Sequence, residues 1–181
     1  MATSLRPLPA ALLALLLLAC VTAPACAQGS WRAQMPQATL IGSGDFSWFG
    51  FSVYNAKLWS PVAQVDFSQP FALELTYRRR ISRDTLVDTS LDEIRRLNGE
   101  PLDREQQADW VRQMQQAFVD VEDGTRITGV FLPGRGCRFY VNGQLQHVIE
   151  DDEFARAFFA IWLDPQTRSP KLRAALLGLN R

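Results

Sequence analysis

An arginine lies among apolar residues in the segment FALELTYRRRIS, residues 71–82. A β-strand over residues 71–81 would place alternate side chains on one face. That face would carry Phe71, Leu73, Leu75, Tyr77, Arg79 and Ile81. A guanidinium group beside a tyrosine hydroxyl in an apolar cavity is a good receptor for a carboxylate. The pattern allows three interpretations: Arg79 extends from the strand's end to water, forms a buried ion pair, or faces a cavity and binds an anion.

The other residues with chemical potential favour simpler interpretations. His147 is the only histidine, so we expect neither a Ser-His-Asp triad nor a zinc site with the usual ligands. The acidic residues 150–153 are typical of a helix start. Cys137 could be a reactive thiol beside Arg135 and Arg138, but its position at the start of a strand favours a small buried residue. We expect no metal site and no cofactor.

Residues 1–27 have the features of a secretory signal peptide. One arginine precedes an apolar run of about a dozen residues, shorter than the roughly 20 that span a bilayer, and Ala25-Cys26-Ala27 follows. We therefore expect cleavage after Ala27, export to the periplasm and one domain at residues 28–181, with no transmembrane segment. The segment LLAC also resembles a lipoprotein cleavage box, in which Cys20 would carry a lipid anchor.

The charge balance argues against a nucleic-acid partner. The chain has 19 basic and 19 acidic residues, and no basic excess that would displace counterions from a phosphate backbone. Residues 28–181 are enough for one hydrophobic core without disulfide support. Cys137 would be the only cysteine after cleavage at Ala27, whereas lipidation at Cys20 would leave Cys26 available to pair with it.

Apolar spacing predicts strands, two helices, strands and two helices. The first two expected strands are joined by a turn at residues 42–45, and the second of them covers residues 46–59 and lies inside the sheet. The other expected strands are residues 71–81, 125–134, 137–141 and 144–150. The expected helices are residues 86–98 capped by Ser90, a helix from Asp103 ending near Gly124, residues 153–163, and residues 169–178 capped by Ser169. Residues 61–70 should form a loop or short edge strand, and Asn142-Gly143 a hairpin turn. This order predicts an α+β fold, with a mostly antiparallel sheet and helices packed on one face.

Three segments resemble the chalcone isomerase-like family, in its bacterial exported branch: GSGDFSWFGFSVYNAKLW, FALELTYRRRIS and FARAFFAIWLDPQTRSPKLRAALLG. The resemblance covers essentially all of residues 28–181. It implies the chalcone isomerase fold, with a ligand cleft between an antiparallel sheet and the helices on one face. Plant members isomerise chalcones, whereas some others bind fatty acids through an Arg–Tyr pair. The arginine and threonine positions of the isomerases fall on Phe46 and Phe49, which favours a binding protein.

We therefore expect a periplasmic, non-catalytic protein that binds a small apolar ligand with an acidic head, such as a fatty acid. Arg79, Tyr77 and Tyr54 are the candidate ligand-binding residues. Two alternatives remain: an intramolecular lyase of the chalcone isomerase type using the same cleft, and an envelope protein that has a structural or partner-binding role and no ligand.

Overall fold

The structure is a computed structural model that describes residues 30–99 and 101–179. The predicted signal peptide, including Ala27 and Cys20, lies outside the described residues. The strands are β1 Thr39–Trp48, β2 Phe51–Ser60, β3 Phe71–Tyr77, β4 Arg126–Leu132, β5 Gly136–Val141 and β6 Gln144–Ile149. The helices are α1 Arg83–Asn98, α2 Arg104–Ala117, α3 Asp152–Leu163 and α4 Pro170–Leu176, with a short 3-10 helix at Trp31–Ala33.

The six strands form one antiparallel sheet in chain order, from β1 to β6. One face packs against the four helices in the main core, which includes Leu73, Phe131 and Phe159. The opposite face carries a smaller cluster with Trp31. The α+β prediction of an antiparallel sheet with helices on one face is confirmed.

The predicted turn at residues 42–45 is wrong, because β1 continues through it to Trp48. Gly42 and Gly44 are in the strand because α4 packs very close to it. A Cβ atom on Gly42 would lie 2.1 Å from the Ala175 carbonyl oxygen, and one on Gly44 would lie 2.8 Å from Leu172. The chain reverses instead at residues 49 and 50, so residues 46–59 belong to two strands, and β2 lies inside the sheet.

The predicted strand over residues 71–81 ends early, at Tyr77. The β3–β4 pairs end at Thr76 and Arg126, so no residue of β4 is available to pair with Arg79. The chain instead crosses to Ile81, which pairs with Val121. Arg79 therefore lies beyond the sheet, and not on its apolar face.

Two predicted helix boundaries are also wrong. Ser90 lies inside α1, and Ser82 is the N-cap, accepting a hydrogen bond from the Thr85 amide at 3.2 Å. Asp103 caps α2 as predicted, but that helix ends at Ala117, before Val121 joins Ile81.

The remaining local predictions agree with the structure in most respects. Asn142-Gly143 forms the β5–β6 turn with φ of 49° and 88°, and residues 61–70 form a loop. α4 begins with Pro170 as predicted, although the side chain of Ser169 makes no capping hydrogen bond. No helix among the described residues is both long and apolar enough to cross a bilayer.

Candidate functional site

A cavity of about 890 Å³ is lined by residues of the sheet and of helices α1, α3 and α4. This volume lies within the usual range for small-molecule sites, roughly 300–1,000 Å³. Its inner wall is aromatic, because Phe139, Phe158 and Phe159 are all buried there. Its outer wall is polar or exposed and includes Trp48 and Arg79. The cavity therefore has an apolar interior and a polar entrance.

Two tyrosines lie side by side on the sheet wall. Tyr54 of β2 and Tyr77 of β3 are directly opposite in the register, with ring centroids 5.8 Å apart. The indole Nε1 of Trp162 donates a hydrogen bond to the Tyr54 hydroxyl at 3.0 Å, which leaves the Tyr54 proton free to be donated. Within residues 30–99 and 101–179, the Tyr77 hydroxyl makes no hydrogen bond. Both phenols line the cavity and can donate to an acceptor in it.

Burial fixes the protonation state of both tyrosines. It raises the pKa of Tyr54 well above the ordinary 10.0, although the hydrogen bond from Trp162 acts in the opposite direction. Burial also raises the pKa of Tyr77, and the neighbouring Tyr54 raises it further. Each phenol therefore keeps its proton at neutral pH and acts as a donor to a carboxylate or carbonyl oxygen.

Arg79 lies at the entrance of the cavity and is exposed. Its guanidinium carbon is 5.5 Å from the centre of the Phe51 ring. Arg78 and Arg80 on either side are matched by acidic residues, at 3.3 Å from Asp45 and 3.4 Å from Glu122.

In the described part of the chain, Arg79 makes no ion pair, so the interpretation of a buried pair is wrong. The interpretation in which the Arg79 side chain extends to water agrees with the structure. Because the side chain also lines the cavity, binding an anion there is sterically possible.

Several residues of the cavity were not predicted from the sequence. Trp162 orients Tyr54, and the i, i+4 spacing of Phe158 and Trp162 on α3 was the available signal. Arg168 also lines the cavity, but Glu93 pairs with it at 3.0 Å and with Arg96 at 2.9 Å. Arg168 therefore has an acidic partner, which it shares with Arg96, whereas Arg79 has none in the described part of the chain.

Phe46 and Phe49, which fall on the arginine and threonine positions of the isomerases, lie in different parts of the structure. Phe46 lines the cavity, and its ring stacks on Tyr54 with centroids 5.0 Å apart. Phe49 is 86% exposed in the β1–β2 turn and does not line the cavity. The expectation that Phe49 occupies a strand position in the site is therefore wrong, and β2 contributes Val53 and Tyr54 instead.

The other candidate residues have structural roles. The His147 ring nitrogen Nε2 hydrogen-bonds to Gln113 Oε1 at 2.7 Å. Cys137 is buried, and this burial, followed by the nearby Asp151, raises the pKa of its thiol, which disfavours the reactive thiolate. Asp151 caps α3 by accepting a hydrogen bond from the Phe154 amide at 2.9 Å, as the acidic run predicted.

Comparison with known proteins gives three findings. The family model described as "Chalcone isomerase-like" matches residues 29–178. An uncharacterized protein of Haemophilus influenzae is 30% identical over 142 residues, which cover 78% of this chain and 68% of that protein. The crystal structure of an Arabidopsis thaliana fatty-acid binding protein is similar with a TM-score of 0.59 and 11% identity, covering 78% of this chain and 87% of that chain. At this identity the structural similarity establishes the fold alone.

Proposed function

This chain belongs to the chalcone isomerase-like family, and from that premise we propose that it is an exported, non-catalytic protein of the periplasm that binds an apolar ligand with an acidic head. A fatty acid is the simplest such ligand. The observation that carries the proposal is the cavity of about 890 Å³, which is lined by buried aromatic rings, by two tyrosines and by Arg79, an arginine with no ion pair in the described part of the chain.

The polar groups of the cavity wall suit a carboxylate. The hydroxyls of Tyr54 and Tyr77 are protonated donors, and a carboxylate accepts several hydrogen bonds at once. Arg79 supplies the positive charge, and hydrogen bonds between charged groups are stronger than neutral ones. An acidic head would therefore lie near these residues.

The interior suits an alkyl or aromatic tail. Phe139, Phe158 and Phe159 are at most 5% exposed, and they present rings where a polar tail would lose its hydrogen bonds to water. The Arabidopsis thaliana protein with the same fold is named for fatty-acid binding, which supports this ligand class.

The absence of catalysis in the proposal rests on Phe46. Cyclisation of a chalcone needs a cation and a hydrogen-bond network near the reacting phenolate. Phe46 instead covers Tyr54 with a stacked apolar ring. No cation is therefore supplied at the position that carries the arginine in the isomerases, and this supports the non-catalytic assignment.

Ligand titration of matched variants tests the proposal. We expect Arg79→Ala to weaken the binding of a long-chain fatty acid by roughly 10- to 100-fold, the range for a hydrogen bond to a charged group. Arg78→Ala is the control, because Arg78 pairs with Asp45 and does not line the cavity. A fatty alcohol of the same chain length should bind both variants about equally, since it has no charge for Arg79 to bind.

Native mass spectrometry of protein purified from its own envelope provides a second measurement, and a co-purifying acid is expected. A protein that carries no lipid and takes up no fatty acid would contradict the proposal and favour a structural or partner-binding role. Conversion of a chalcone to a flavanone by the purified protein would contradict the non-catalytic assignment.

A further inference from the structure

The turn between β1 and β2, residues 48–51, carries three exposed aromatic side chains and forms an aromatic tip. Trp48, Phe49 and Phe51 are 55%, 86% and 64% exposed. The rings of Trp48 and Phe49 contact each other edge to face, with centroids 5.1 Å apart. Three large apolar side chains grouped on one projecting turn form the kind of patch that marks an interaction site.

The backbone of the aromatic tip does not favour a phenylalanine. Phe49 has a φ of 47° and Gly50 a φ of 80°, so both are in the left-handed region. This two-residue turn favours asparagine followed by glycine, and the β5–β6 turn of the same protein has Asn142 and Gly143 with nearly the same angles. A bulky side chain in this conformation is unfavourable, and Phe49 gains little burial in return. Folding therefore does not explain a phenylalanine at position 49.

The aromatic tip is continuous with the entrance of the cavity. Trp48 and Arg79 both line that entrance, and the Arg79 guanidinium lies over Phe51. The charge of Arg79 has no acidic partner in the described residues, whereas Arg78 and Arg80 do. The tip is thus a group of aromatic rings with one available cation beside the opening of an apolar cavity.

We propose that the aromatic tip docks this protein on an anionic lipid surface, with Trp48, Phe49 and Phe51 inserted at the level of the headgroups. Tryptophan favours this interfacial region, phenylalanine supplies apolar area that inserts there, and Arg79 complements negatively charged headgroups. The turn is open around Gly50, since a Cβ atom there would meet nothing within 4 Å, which leaves room for contact with headgroups. Docking in this way turns the cavity entrance toward the bilayer. This inference goes beyond the proposed ligand binding, because docking requires no ligand.

Phe49→Asn tests the docking without threatening the fold, because asparagine is favoured at this backbone position. The measurement is flotation with vesicles of phosphatidylglycerol and phosphatidylcholine in equal parts. We expect wild type to bind, and Phe49→Asn to bind at least about tenfold more weakly, as the loss of one buried phenylalanine implies. The thermal midpoint of the variant should equal or exceed that of wild type. Val62→Asn is the matched control: it replaces an apolar side chain, 37% exposed, in the loop at the opposite end of β2, and should leave vesicle binding unchanged.

The charge of Arg79 gives a second comparison. Vesicles of phosphatidylcholine alone should bind wild type about fivefold more weakly, the ratio expected for one cation near an anionic surface. Failure of wild type to bind either vesicle would overturn the proposal and assign the tip to a protein partner. An equal loss of vesicle binding in Phe49→Asn and Val62→Asn would also overturn the proposal. If vesicles bind but no fatty acid is taken up in solution, the docking stands and the proposed ligand class fails.

Discussion

Tyr54 and Tyr77 show how one residue type can have two different roles. Both are tyrosines on neighbouring strands, and burial raises the pKa of both. They differ in their partners, because Tyr54 accepts a hydrogen bond from Trp162 and the Tyr77 hydroxyl has no partner in the described chain. Tyr54 therefore connects the sheet to α3 and still has a proton to donate to a ligand, whereas Tyr77 has only the donor role.

Replacing each tyrosine by phenylalanine should separate the two roles. Tyr54→Phe removes the acceptor of the Trp162 indole, and leaving this donor unsatisfied should lower the free energy of unfolding by about 1–3 kcal/mol. Tyr77→Phe breaks no internal hydrogen bond, so stability should change little, while fatty-acid affinity should fall about tenfold or more. Urea denaturation and ligand titration of both variants provide the measurements. Similar destabilisation of the two would contradict the assignment.

At the scale of elements, β1 shows what local sequence patterns could not determine. The sequence Gly-Ser-Gly-Asp is typical of a turn, but glycine inside a strand also permits close approach of another backbone. That backbone belongs to α4, more than 130 residues further along the chain. The end of β3 has a similar cause, because it depends on where β4 begins. Arg79 was therefore predicted within the strand, whereas it lies beyond the end of β3, and its place in the cavity wall agrees with one of the three interpretations.

Gly42→Ala tests the close contact of β1 with α4. The added methyl group would meet the carbonyl oxygens of Ala175 and Leu176 at 2.1 and 2.6 Å, and backbone atoms cannot move aside as a side chain can. We expect a loss of about 1–3 kcal/mol in the free energy of unfolding, the usual cost of overpacking. Because Leu172 of α4 lines the cavity, ligand affinity should fall as well.

Ser43→Ala is the control for that substitution, since Ser43 is the exposed neighbour of Gly42 in β1. Chemical denaturation and ligand titration should give wild-type values for this variant. Wild-type stability in Gly42→Ala would show that α4 does not need a glycine at this position.

At the scale of the whole molecule, most of the fold could be predicted and much of the site could not. The predictions of the β5–β6 turn and of α3 were correct because they depend on local signals, which are Asn142-Gly143 and the acidic cap Asp151. The hydrogen bond between Tyr54 and Trp162 joins residues 108 apart, and no local pattern specifies it. The family resemblance, confirmed by the match to residues 29–178, supplied the expectation of a cleft but not its lining.

The whole molecule should also lose stability in alkaline solution. Burial raises the pKa of Tyr54, Tyr77 and Cys137 in the folded protein above their ordinary values, which are 10.0 for tyrosine and 9.0 for cysteine. Above these values the unfolded chain releases protons that the folded protein retains, so the unfolded state binds fewer protons and stability falls as pH rises. The stabilisation is fully present below about pH 9 and decreases above it.

Urea denaturation at pH values from 8 to 11 measures this decrease. Each of the three groups should contribute a slope of up to about 1.4 kcal/mol per pH unit once its unfolded form has titrated. Cys137→Ala should remove the part of the stability loss that begins near pH 9. Tyr77→Phe should make the loss of stability above pH 10 less steep. The slopes of each variant are compared, and not the absolute stabilities, because Cys137→Ala also removes buried volume. A free energy of unfolding that stays constant from pH 8 to pH 11 would contradict the rise in pKa that burial gives these side chains.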